Sequence, residues 1–137
     1  MEIIDNNNEY KIQLYTTSLM LMIASADNDI GDEELEIIKK NLINFFHIGE
    51  DLSEELIKSS YNIIGEATDI YELGSFINKS LNSQEKIELL SYIFKVAYSD
   101  KNFHFMERHL INQIANILNI NKDKVLKAKK EVLSNLL

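Results

Sequence analysis

The stretch Leu19-Met20-Leu21-Met22-Ile23-Ala24-Ser25-Ala26-Asp27-Asn28-Asp29-Ile30-Gly31-Asp32-Glu33-Glu34 returns 73 residues later as Tyr92-Ile93-Phe94-Lys95-Val96-Ala97-Tyr98-Ser99-Asp100-Lys101-Asn102-Phe103-His104-Phe105-Met106-Glu107. Each copy runs from an apolar helical segment through a pair of small residues into an Asp and a tight turn. An apolar residue follows three places after the Asp (Ile30, Phe103), and a Glu seven places after it (Glu34, Glu107). The flanks keep the offset: Leu14 with Ile87, Ile37 with Leu110, Ile38 with Ile111. A repeat at fixed spacing constrains the architecture before any single element does. It also singles out four carboxylates.

Working outward, apolar residues recur at spacings of three and four almost throughout, and alternation with period two is nearly absent. Proline is absent and glycine occurs four times, which suits helices joined by short turns. The pattern predicts one all-α domain spanning 1–137, a compact bundle of about seven helices. Two similar helical hairpins, about 9–47 and 83–119, are joined by connecting helices. Helix 1, about 9–27, is expected to bury Ile12, Tyr15, Leu19, Met22, Ile23 and Ala26. Helix 2, about 32–47, uses Leu35, Ile38, Leu42, Phe45 and Phe46, with Gly49 as its stop signal. Helix 3 is expected to start at Ser53 as N-cap and to carry Leu56, Ile57, Tyr61 and Ile64. Helix 4 opens at Asp69 with capping-box spacing to Glu72. Helix 5, about 83–99, and helix 6, about 105–119, repeat the first pair. Helix 7, about 122–136, places Val125, Ala128, Val132 and Leu136 inside and its lysines outside.

A chain of 137 residues can bury roughly 65–70% of its unfolded surface, so it needs no disulfide or metal to fold. It has no Cys, which excludes thiolate zinc sites. Its start has no basic and apolar leader, so no signal peptide is expected. The longest uncharged stretch, Ile12 to Ala26, is 15 residues, short of the roughly 20 a membrane span needs. A cytoplasmic location is the expectation. Net charge is −8, so nucleic acid is not an expected partner. The charge is uneven: six carboxylates between Asp27 and Glu36, five lysines between Lys122 and Lys130.

The repeated carboxylates admit two readings. Asp27 and Asp100 fall at helix C-termini, where the macrodipole disfavours an anion by about 0.3–1 kcal/mol. Glu34 and Glu107 fall in first turns, where it favours one. In the first reading each Asp accepts backbone N–H groups of its turn and the Glu serves the helix start or pairs with a lysine. In the second, Asp27, Asp29 and Glu34 in one copy, and Asp100, Asn102 and Glu107 in the other, hold a hard divalent cation with turn carbonyls and water. Ca or Mg suits such oxygen donors better than Zn. The first copy is the stronger candidate, because Asp32, Glu33 and Glu36 extend its acidic patch. The loop is not an EF-hand: position 6 is Asp32 where Gly is required, and position 12 is Ile38 rather than Glu. His47, His104 and His109 form none of the common helical zinc or di-iron spacings. No phosphate loop or nucleophile–base set is present, so an enzyme is not expected. Tyr98, beside Asp100, is a candidate to line the second site. The lysines of helix 7 read as a solvated face, with contact to anionic lipid as the alternative.

The segments Ala24 to Glu34 and Ala97 to Glu107 resemble the twice-repeated Ala-x-Ala-Asp-Gly-x-(Ile/Val)-x-x-x-Glu signature of the TerB-like family, named for a tellurite-resistance protein. The residues Gln84-Glu85-Lys86 lead into helix 5 as that family shows. The resemblance implies a compact helical bundle, an acidic metal-associated patch and no enzymatic activity. It also implies a bacterial stress-response setting near the inner face of the membrane, reached through protein partners. The chain departs after each Asp, where the usual Gly is Asn28 or Lys101. Asn tolerates a left-handed backbone and Lys does so poorly. A metal-independent interaction module, its acidic face docking a basic partner, is the competing reading. The sequence names neither a partner nor an oligomeric state.

Overall fold

In the computed structural model, which describes residues 6–27, 30–65, 69–99 and 105–136, the chain begins with α1 (Asn6–Ala24) and a 3₁₀ turn, Ser25–Asp27. Then follow α2 (Asp32–Phe46), α3 (Glu50–Gly65), α4 (Ile70–Ser80), α5 (Ser83–Ala97), α6 (Phe105–Ile117) and α7 (Lys122–Leu136). No strand occurs among the described residues. The offset of 73 carries Ala24, the last residue of α1, onto Ala97, the last of α5. It likewise carries Asp32 onto Phe105, the first residues of α2 and α6.

Helix α1 is the axis. It packs most extensively on α3 and α4, then on α2 and α5, and it also meets α6. Every residue from Thr16 to Leu21 has zero exposure, so this helix is buried all round rather than along one stripe. A helix surrounded by protein can carry no unpaired charge, and the uncharged run around it meets that demand. Two of its hydroxyls turn back onto the backbone: Thr17 Oγ1 donates to the Gln13 carbonyl at 2.7 Å and Ser18 Oγ to Leu14 at 2.8 Å, while the buried Thr16 Oγ1 finds no partner among the described residues. Ser60 Oγ of α3 donates to the same Leu14 carbonyl at 3.3 Å. The one-faced burial expected for this helix is thus corrected: Met22 is half-buried, while Met20 and Leu21 are core.

Two close approaches fix the neighbours. Asn41 of α2, 3% exposed, donates from Nδ2 to the Tyr92 carbonyl of α5 at 3.0 Å. Helix α4 crosses α6 at Gly74, where a Cβ would stand 2.7 Å from Ile117 Cγ2. Helix α7 lies on α5 and presses Ala128 and Val132 into the core.

Helices α2 and α3 depart from the sequence reading in three respects. Helix α3 starts at Glu50, not Ser53; Ser53 is buried in the first turn and its Oγ donates to the Glu50 carbonyl at 2.7 Å. Tyr61, expected on the apolar face of α3, is 42% exposed. Helix α2 stops at His47, which takes the left-handed conformation (φ 55°, ψ 47°), and Gly49 has no positive φ. Histidine is among the residues that enter that region more readily. Asp69 caps α4, but it accepts from the Tyr71 N–H at 3.0 Å and not from Glu72, the partner the capping-box spacing proposed.

Candidate functional site: two acidic helix starts

Glu34 and Glu107 are each the third residue of their helix, α2 and α6. Both are buried, to 8% and 3% exposure. The helix N-terminus offers a carboxylate free N–H groups and a favourable dipole, which accounts for Glu at this position. It does not account for burial, since a desolvated charge is costly without compensation. At Glu34 part of that compensation is visible: Oε1 accepts from the Gly31 N–H at 3.3 Å. Gly31 is the N-cap, in extended conformation. Having no side chain, it returns no bond, so only the Glu half of a capping box is formed.

At the second helix start the neighbours differ. Tyr98 closes α5 as its C-cap, its ring stacked on Phe94 with centroids 6.3 Å apart. Burial pushes the Tyr98 hydroxyl to a higher pKa; the Arg108 cation pulls it down and the Glu107 carboxylate adds to the rise. Tyr98, Glu107 and Arg108 therefore lie within electrostatic reach of one another. Arg108 went unremarked in the sequence because the repeat places Leu35 opposite it.

The two acidic segments are not at separate ends of the molecule. The 3₁₀ turn that ends in Asp27 packs against α6, the helix that carries Glu107. The Asp27 backbone completes that turn, and Ser25 Oγ donates from it back to the Met22 carbonyl of α1. Asp29, Asp100, Asn102 and the Asp27 side chain lie outside the described residues, as does His104. Asp32, Glu33 and Glu36 are exposed on α2, so the acidic patch is a solvent-facing rim beside the buried Glu34. The nearest lysine of α2 is engaged elsewhere: Lys39 Nζ sits 2.9 Å from Glu54 and 3.9 Å from Glu50, both on α3. The bond to Glu54 raises its pKa against the opposing effect of burial, with Glu50 and Glu36 adding to the rise. Among the described residues no three His, Asp or Glu side chains gather around a common point. No helix among them is long and apolar enough to cross a membrane.

The family model described as Tellurite resistance protein TerB matches residues 13–130. The chain belongs to the TerB family. The match spans α1 to α7 and includes both acidic helix starts. Among solved structures, a protein of unknown function, PG1108, from Porphyromonas gingivalis W83 is similar in fold, with TM-score 0.66 and 17% identity. That alignment covers 91% of this chain and 95% of the other. No curated protein matches. The family's fold and the helical architecture agree.

Proposed function

We propose that this TerB-family chain is a non-enzymatic, cytoplasmic stress-response domain whose acidic turns hold a hard divalent cation, Ca or Mg, and thereby support contacts with protein partners. The observation that carries this reading is the burial of Glu34 and Glu107 at matching helix starts, each with an Asp seven residues before it in the sequence. Those donors are all oxygen, the chemistry of Ca and Mg rather than of Zn. Asp27, Asp29 and Glu34 would form the first set, with Asp32, Glu33 and Glu36 raising the local negative potential. Asp100, Asn102 and Glu107 would form the second. A bound cation would neutralise buried carboxylates and fix the geometry of the turn, which is the surface a partner would read.

The bond from the Gly31 N–H to Glu34 favours the competing reading, in which the carboxylates shape turns without metal. Thermal unfolding of chelator-stripped protein with added Ca²⁺, Mg²⁺, Mn²⁺ or Zn²⁺ separates the two. A cation that binds only the folded state stabilises by about 2.7 kcal/mol at about 100 times Kd. The cation reading expects that rise in the natural chain and its loss in Asp27→Asn/Glu34→Gln, with little change in the metal-free midpoint. The turn-shaping reading expects no response to any ion up to millimolar, and a loss of about 0.5–2 kcal/mol per cap in the variant.

A further inference from the structure

Helices α2, α5 and α7 leave between them a groove of about 310 Å³, at the lower bound of about 300 Å³ for sites that take a small ligand. The aliphatic residues among its lining are the half-buried Ile37 and Val132, which is 3% exposed. Lys40 and Lys95 stand on its rim, and no Asp or Glu lines it, in a chain with 22 acidic residues against 14 basic ones. Neither lysine makes an ion pair among the described residues. The Lys95 ammonium is held over the Tyr92 ring, 4.7 Å from its centroid.

The groove also contains a buried acceptor. Asn41 is 3% exposed and lines it. Its Nδ2 is committed to the Tyr92 carbonyl. Its Oδ1 accepts from no protein donor among the described residues, yet is not sealed off as a buried orphan. It is therefore open to solvent, on a residue that lines the groove. Asn44, exposed beside it, adds an amide with both donor and acceptor capacity.

We propose that this groove captures the carboxy-terminal end of a partner peptide whose last residue is aliphatic. Such an end carries three groups within one residue: a branched side chain, a carboxylate and a backbone N–H. The side chain matches Ile37 and Val132, the carboxylate matches Lys40 and Lys95, and the N–H matches Asn41 Oδ1. An acidic side chain within a peptide brings its carboxylate without an aliphatic group at that spacing. None of the residues assigned to the cation lines the groove, although Ser99, which does, immediately precedes Asp100 of the second acidic turn.

The test is titration of the chelator-stripped full chain with an acetylated tripeptide ending in leucine, as the free acid and as the C-terminal amide. Binding is followed by calorimetry and by the side-chain amide NMR signals of Asn44 and of Asn135, which also lines the groove. The free acid is expected to bind at least tenfold more tightly than the amide. Lys40→Gln/Lys95→Gln is expected to remove that preference while keeping a cooperative unfolding transition, its midpoint lowered only by the lost Lys95–Tyr92 contact, and Asp27→Asn/Glu34→Gln to leave binding intact. No binding up to millimolar peptide would overturn the proposal, as would equal binding of acid and amide. Binding that ignores the lysine pair, or that is lost in the acidic-turn variant, would place the peptide elsewhere and overturn it too.

Discussion

A carboxylate at the third position of a helix is ordinary when it faces water; at Glu34 and Glu107 it does not. Their exposure, 8% and 3%, is set by tertiary packing. The repeat therefore picked out these two letters, while their burial was beyond the reach of local spacing. Tyr98 offers a titration readout of the second start. Its hydroxyl ionises at higher pH folded than unfolded, so the stability it contributes is complete below about pH 10 and falls as pH rises through the higher folded value. Tyr98→Phe should lose less stability than the natural chain between pH 9 and 11, read as urea midpoints; equal losses would show that Tyr98 is not the group responsible. Asn41 makes a second case at this scale. Asn41→Ala removes a buried donor to the Tyr92 carbonyl and should cost about 1–3 kcal/mol, seen as a lower midpoint with an unchanged urea slope.

Among the elements, the crossing of α4 over α6 is set by one missing side chain. Gly74→Ala would gain up to about 1 kcal/mol in helix propensity but drive a methyl to 2.7 Å from Ile117. Overpacking of that kind costs typically about 1–3 kcal/mol, so the net effect should be destabilising in a thermal melt. Ile117→Ala in the same background should restore part of it. Helix α5 is started by Asn82, whose Oδ1 accepts from the Glu85 N–H at 2.8 Å while Glu85 returns a bond to the Asn82 N–H at 2.9 Å. Asn82→Ala should cost about 0.5–2 kcal/mol. This reciprocal pair stands in the sequence as Asn82-Ser83-Gln84-Glu85 and was legible there, though overshadowed by the repeat. At the end of α2 the boundary near 47 was legible but its cause was not: glycine is the usual left-handed terminator, so Gly49 stood as the stop signal where His47 takes the left-handed conformation.

At the scale of the whole molecule, the all-helical class could be read from letters alone, because period-three-and-four spacing and the absence of proline are properties of the entire chain. Which helix lies at the centre could not. An amphipathic stripe announces a helix with one wet face, whereas α1 is wrapped by partners drawn from both ends of the sequence. Its cover from α3 and α4 is joined by α5 and α6. The six residues from Thr16 to Leu21 therefore have no local route to water. Amide hydrogen exchange should show this: the N–H groups of that segment should exchange only when the whole domain opens, with a free energy equal to that of global unfolding. Under that condition one proton signal from the middle of α1 serves as a gauge of total stability, and a fragment holding 9–47 alone should show no protected core at all.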